Sequence, residues 1–390
     1  MDKTQQLEKQ FHFQVYNRFP VTLERGEGAL VWDTDGNEYI DALGGIAVNN
    51  LGHCHPKVVE AIREQAGKLI HTSNFYYTEA QSLFVEKLVK VSGLDRVFLC
   101  NSGVEAMEAC VKLARKYGHS KGKDGKIISL SQGFHGRSVT TIGMGMPGYQ
   151  QGFEPMPAGF DQVPFNDFET LQKTVDKNTL AIVFEIVQGN SGVHVAEAEF
   201  LKKTRALCNE LDILLILDEV QTGVGRTGKF YAYQHFGILP DVVASAKALA
   251  GGIPIGAVMA KESVASVLGF GQHGTTFGGN PFACAVGLAT LQAIEDEGIL
   301  EQSAEKGAHM MKLLKEKTAG NSAVIDIRGL GMMIGVELDK PARPVVDKMF
   351  EHKVLSNAAS GNVIRLVPPL VMTKAQIERV VDVLVESLGD

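Results

Sequence analysis

The chemistry of this chain is most visible in the run ILLILDEVQTGVGRTG, residues 213–228. There a stretch of apolar residues ends in two adjacent acids, Asp218 and Glu219, and passes into a glycine-rich turn. Three uses of such a strand end compete. An acid there could hold the metal of a bound nucleotide, but the sequence contains no GxxxxGK[ST] phosphate loop. The segment Gly223–Gly228 has the spacing GxGxxG, yet it does not directly follow the strand. The residues after it, KFYAYQHFG, make a poor helix on which to seat a pyrophosphate. The third use sets the carboxylate at the carboxyl edge of a strand against the nitrogen of a buried heteroaromatic ring. A carboxylate there keeps the nitrogen protonated and makes the ring an electron sink.

That third use demands an amine on a nearby strand edge. In VVASAKALAGGIPIG, residues 242–256, a small-residue strand runs into Lys247 and then a glycine turn. A lysine after a strand is ordinarily a solvated surface residue. Here its neighbours Ala244, Ser245, Ala246 and Ala248 are small and the Leu249-Ala250 step is apolar. Such a desolvated setting lowers an amine's pKa, as a Schiff-base lysine requires. An anion site is also offered by NSGVEAMEACVKLAR, residues 101–115, where Ser102-Gly103 opens a helical run directly after a strand. Free backbone N–H groups and the helix dipole favour a phosphate at such a turn, although on this segment alone a plain helix cap by Ser102 is the stronger reading. Phe134, in GFHGRS, could stack on a planar ring, and packing in the core is the plainer use of Phe134 and His135. The tight loop HCHP, residues 53–56, reads as structural, since two histidines and a cysteine so close rarely converge on one metal.

Short apolar runs alternate with amphipathic stretches through the middle of the chain. Strands are expected over Val97–Cys100, Lys126–Leu130, Ala181–Val187, Ile213–Asp218, Val242–Ala246 and Ala257–Ala260. Their near-continuous hydrophobicity implies burial on both faces of a parallel or mixed sheet. Helical patterns over Val104–Lys116 and Glu197–Leu211 lie between them, which argues for an α/β layer sandwich. From about Glu295 the texture changes to a polar helix (Glu301–Lys317), the strand-like VIDIRG and MMIGVEL, a helix, the strand VIRLVPP and a closing helix. This reads as a smaller α+β domain. GALVWDTDGNEYIDA, near the N-terminus, has the pattern of a hairpin around Asp35-Gly36.

Bulk properties bound the function. At 390 residues, two domains are expected. A formal net charge of -7 gives no basic footprint for nucleic acid or an anionic membrane. No apolar run approaches the roughly 20 residues of a membrane span, and the opening MDKTQQLEKQFHF lacks a signal-peptide core. Five cysteines without a CxxC pair point to a reducing, cytoplasmic setting and no structural zinc. The 42 glycines cluster in GGIAVNNLGH, GFHGRS, QTGVGRTG, LAGGIPIG and TTFGGNP, where tight turns approach a ligand or backbone.

Taken together, LDEVQTGVGRTG, SAKALAGGIPIGA, TTFGGNP and SQGFHGRS resemble the class III aminotransferases of the fold-type I pyridoxal-phosphate enzymes, from about Val21 to the C-terminus. GGIAVNNLGHCHP, HTSNFYY and RLVPPL are most similar to the acetylornithine subfamily, while Ile46 stands where ornithine δ-aminotransferases usually carry a tyrosine. The resemblance implies an α/β fold: a large domain with a mixed, mostly parallel seven-stranded sheet between helices, plus a smaller α+β domain. Its division would be an N-terminal segment 1–50, a pyridoxal-phosphate domain 51–295 and a small domain 296–390.

The resemblance also implies residue roles. Lys247 would carry the pyridoxal phosphate as a Schiff base, and Asp218 would pair with the pyridine nitrogen. Ser102, Gly103 and Val104 would hold the phosphate, Val220 and Phe134 would flank the ring, and Gln221 would bond its phenolic oxygen. Thr276 would reach the phosphate of a neighbouring subunit, making a homodimer with shared sites. Arg137 and Thr275 would bind substrate, and Arg365 would take the α-carboxylate of the acceptor. The implied reaction transfers the terminal amino group of N-acetylornithine to 2-oxoglutarate. The alternatives are another ω-amine donor (succinylornithine, 4-aminobutyrate, ornithine) or a racemase or aminomutase of the same fold. Two residues depart from the family pattern. Val104 stands where threonine or alanine is usual, and Asn190 stands where QGExG has a glutamate that pairs with the arginine.

Overall fold

In the computed structural model, which describes residues 2–389, seven strands form the central sheet. They are β1 (Arg96–Cys100), β2 (Ile127–Leu130), β3 (Phe160–Val163), β4 (Ala181–Phe184), β5 (Leu214–Asp218), β6 (Val242–Ser245) and β7 (Gly256–Ala260). Their spatial order is β1-β7-β6-β5-β4-β2-β3. β7 runs antiparallel to both its neighbours, and the other pairs are parallel. The carboxyl ends of six strands and the start of β7 therefore meet at one edge.

The unbroken hydrophobicity of these strands has a direct cause. Alternate side chains enter two different cores. Leu215, Leu217, Ile182, Phe184 and Met259 pack on one face. Leu214, Ile216, Ala181, Val183, Ala244 and Val258 pack on the other, against the helix α1 (Gly103–Ser120). That helix buries Met107, Val111 and Leu113, each contributing about 1.5–3 kcal/mol relative to exposure. Asp218 and Ala244 are register partners on β5 and β6, so Asp218 emerges on the α1 face of the sheet.

The apolar-run reading missed β3. It is an edge strand bonded only to β2, and of its residues only Val163 is buried. Asp161 on this strand pairs with Lys126 at 2.8 Å, so charge guards the edge. The expected strand Ala181–Val187 is likewise cut short: β4 ends at Phe184, and Val187–Gln188 turns away to pair with His194–Val195.

Two smaller sheets flank this layer. Leu23–Glu27, Leu30–Asp33 and Glu38–Asp41 form an antiparallel meander containing the expected hairpin, and Val354–Leu355 adds to it in parallel. Val324–Leu330, Met333–Leu338, Val363–Leu366 and Asn357–Ala359 form an antiparallel sheet beside helices Ile299–Lys317, Arg343–Glu351 and Lys374–Leu388. Arg365 lies in its strand Val363–Leu366, in which every residue is buried.

Candidate active site

At the convergent strand edge lies a cavity of about 330 Å³. Asp218 closes β5, Lys247 follows β6, and Ser102-Gly103 joins β1 to α1; all of them line the cavity. So do Val104, Phe134, Val220 and Gln221. Ser102 and Lys247, 145 positions apart in the chain (247 − 102), thus meet because the ends of β1 and β6 lie at the same edge of the sheet.

Asp218 is 4% exposed and held on both oxygens. Oδ1 accepts from the Val220 amide at 3.0 Å, and Oδ2 meets His135 Nδ1 at 2.8 Å. Burial acts to lower the pKa of His135, but the bond and charge of Asp218 outweigh it and hold the imidazole above its ordinary value. The other ring nitrogen, Nε2, is buried with no partner among the described residues. Sequence reading left His135 in the core; its adjacency to Phe134 was the only available signal.

Lys247 sits in left-handed backbone (φ 49°), a conformation a non-glycine residue adopts only when its surroundings impose it. Desolvation brings its amine down to about 8, against the opposing pull of Asp218. At the far side, Ser102 Oγ caps α1 by accepting from the Glu105 amide at 3.3 Å. The amides of Gly103 and Val104, in the first helical turn, have no carbonyl of the helix to bond. A Cβ on Gly103 would lie 2.9 Å from Val220 Cγ1, so a side chain there would crowd the cavity wall.

The remaining candidates lie outside this lining. Arg365 is 3% exposed, and its guanidinium donates to neutral oxygens: Asn190 Oδ1 at 2.7 Å, Gly189 O and Gln221 Oε1 at 3.3 Å, and Asn357 Oδ1 at 3.2 Å. Burial pulls it down to about 10. Gln221 thus connects the cavity to Arg365. Thr275 Oγ1 accepts from Asn101 Nδ2 at 3.0 Å, and Asn101 lines the cavity. Arg137 is exposed, with its guanidinium 3.9 Å from the Tyr149 ring centre and 5.6 Å from that of Phe134. Thr276 is exposed on a surface loop and does not reach this chain's own cavity. In HCHP the two histidines face different carboxylates, His53 with Asp41 at 2.8 Å and His55 with Glu297 at 3.2 Å.

One lining acid was not singled out in the sequence. Glu185 follows β4 directly, beside Asp218, and burial and that neighbour push its carboxyl up to about 7. It closes an apolar strand as Asp218 does, which was the signal that could have found it.

A pyridoxal phosphate fits these residues: an acid for the ring nitrogen, an amine, apolar walls from Val220 and Phe134, and open amides at a helix start for the phosphate. The family model for class III aminotransferases matches residues 13–388. The chain is 49% identical to an acetylornithine aminotransferase of Methanocaldococcus jannaschii, over 97% of this chain and 96% of that one. It is 46% identical to an acetylornithine aminotransferase of Caldanaerobacter subterraneus over 98% of both. Among solved structures, the ornithine aminotransferase of Toxoplasma gondii superposes with a TM-score of 0.96 at 34% identity, covering 99% of this chain and 94% of that one. The acetylornithine aminotransferase of Elizabethkingia anophelis gives 0.89 at 35%, covering 99% and 98%.

Proposed function

This chain belongs to the class III aminotransferases, and we propose that it transfers the terminal amino group of N-acetylornithine, or a closely related N-acylated diamino acid, to 2-oxoglutarate. The products are the corresponding semialdehyde and glutamate, a step of arginine biosynthesis. One observation carries the reading: Asp218, Lys247 and the open amides of α1 face one cavity, and a buried Arg365 with no carboxylate partner among the described residues adjoins it through Gln221. The names of the relatives most similar in sequence favour N-acetylornithine over ornithine as donor.

When bound, pyridoxal phosphate supplies the electron sink for the pair left behind when the amine-bearing carbon loses its proton. The protein would do the rest. Gly103 and Val104 would donate backbone N–H groups to the phosphate, with Ser102 shaping that turn. Val220 and Phe134 would flank the ring, Gln221 would bond its phenolic oxygen, and Asp218, oriented by His135 and the Val220 amide, would keep its nitrogen protonated. Lys247 would anchor the cofactor and, once displaced, carry a proton on Nζ to and from the reacting carbon. An amine brought down to about 8 holds a usable free-base fraction near neutral pH. Arg365 would bind the acceptor's α-carboxylate, with Asn190 as its neutral partner, and Arg137 and Thr275 would contact substrate.

Thr276, remote from its own cavity, would serve the phosphate of a second subunit in a cytoplasmic homodimer. Among the described residues no helix is long and apolar enough to cross a membrane. A glutamate-release assay with 2-oxoglutarate and a panel of N-acetylornithine, N-succinylornithine, ornithine and 4-aminobutyrate tests the donor. Preference for an unacylated donor would overturn it. Interconversion of enantiomers without any oxo acid would point instead to an isomerase.

A further inference from the structure

Glu185 stands among the charged groups of the site without a place in the chemistry above. Its neighbour in sequence, Phe184, ends β4 paired with Leu217, so Glu185 lies one step past the strand, beside Asp218 on β5. Its oxygens are divided between two loops. Oε1 accepts from the Phe134 amide at 2.8 Å, and Oε2 accepts from the Gly189 amide at 3.4 Å. Gly189 in turn offers its carbonyl to Arg365 at 3.3 Å, and the next residue, Asn190, bonds the same guanidinium nitrogen at 2.7 Å. Among the described residues Arg365 has no carboxylate within bonding distance, and Glu185 is the anion whose field most supports its charge. The other charged and titratable groups facing Glu185 are Asp218 on β5, His135 beside Phe134, and Lys247 after β6.

We propose that Glu185 is a positioning residue that serves as the exchangeable countercharge of Arg365, taking up a proton when a substrate carboxylate arrives there. Two anions cannot share one buried cation cheaply, so the incoming carboxylate displaces the charge of Glu185 rather than adding to it. The carboxyl titrates near neutral pH, where a modest change in field moves its proton. The protonated acid remains anchored through the Phe134 and Gly189 amides, so acceptor binding would be felt at the aromatic cover of the cavity. Because the residue at position 190 is a neutral asparagine, no carboxylate there competes for this exchange.

The proposal rests on the reading of Arg365 as the carboxylate site, and the test separates the two. Glutarate, an unreactive dicarboxylate, is titrated into the cofactor-loaded enzyme by calorimetry in buffers of different ionisation enthalpy. Wild type should take up protons on binding, most strongly just above pH 7 and not at all at pH 5, where Glu185 is already protonated. Glu185→Gln keeps an acceptor oxygen and should bind glutarate without uptake. Asn190→Asp, which gives Arg365 a carboxylate of its own, should weaken binding and reduce the uptake. Absence of uptake in wild type, or unchanged uptake in Glu185→Gln, overturns the proposal. Should Glu185→Gln not fold, unchanged uptake in Asn190→Asp overturns it instead. If Arg365→Met binds glutarate as wild type does, the carboxylate site itself has been misplaced.

Discussion

Replacing Asp218 with asparagine changes the charge of the site while nearly preserving its shape. The amide oxygen can still accept from Val220, as Oδ1 does at 3.0 Å. The new NH₂ group lands where Oδ2 met His135 Nδ1 at 2.8 Å. His135 would then have to offer Nδ1 as an acceptor and carry its proton on Nε2, which is buried with no partner among the described residues. Two magnitudes follow. Losing a buried hydrogen bond to a charged group costs the fold about 1.5–3 kcal/mol, which appears as a lower Tm. Losing the carboxylate that holds the ring nitrogen protonated costs the reaction about 3–4 kcal/mol, or about a hundred- to a thousandfold in rate. Stopped-flow single turnovers with N-acetylornithine, read in the cofactor's visible absorbance, measure the second effect, and thermal melts measure the first. The expected outcome is a cofactor-loaded, somewhat less stable enzyme with a rate reduced by two to three orders of magnitude. A loaded variant within about tenfold of wild type would refute the role of Asp218, whatever its Tm.

Lys247→Ala should abolish turnover together with the borohydride-reducible bond to cofactor; a reducible adduct surviving at one site in that variant means another lysine carries it. Asn190→Glu should shift kcat/KM toward N-acetylornithine and away from glutamate by about tenfold, if the carboxylate recovers about 1.4 kcal/mol at Arg365 when the donor is bound. Single-turnover rates for both donors check this, and an unchanged ratio places the switch elsewhere. The cofactor-free protein should become more stable relative to Lys247→Met as pH rises through about 8 toward the unfolded lysine value near 10.5. In that window the unfolded chain binds the extra proton, so ∂ΔG/∂pH is positive, with an upper limit of about 3 kcal/mol. Urea titrations at pH 7 and pH 10 on both proteins give the difference, and parallel pH profiles would disprove the lowered amine.

Much of the site was legible because its residues interrupt strong local patterns. Asp218 ends five buried residues of β5, Lys247 breaks a run of small side chains, and Ser102-Gly103 stands where strand pattern gives way to helix pattern. Such breaks can be read without knowing what lies across the sheet. Phe160–Val163 was illegible for the opposite reason: an edge strand needs only one buried side chain, so its polar residues carry no strand signal. His135 and Glu185 were hidden by context rather than by composition. A histidine beside a glycine and a glutamate after an apolar run become remarkable only when β4 and β5 lie side by side and the loop after β2 folds back over their ends.

Arg365 makes the same argument from further away. It sits on a strand of a different sheet from the one that carries Asp218, and its partners Asn190 and Gln221, both in turns, lie 175 and 144 residues distant. Local pattern marks Val363–Leu366 as buried, and a buried arginine demands acceptors. It cannot say whether those acceptors are charged. That distinction decides what the site takes. A carboxylate at position 190 would neutralise the arginine in the resting protein, whereas the asparagine leaves it bonded but not neutralised. The substitution is visible in the sequence as one letter; its consequence depends on the neutral ring of Gly189, Gln221 and Asn357 that the fold assembles around the guanidinium. The cation is thereby left with no bonded carboxylate among the described residues, and its countercharge, Glu185, is one that an arriving carboxylate can displace.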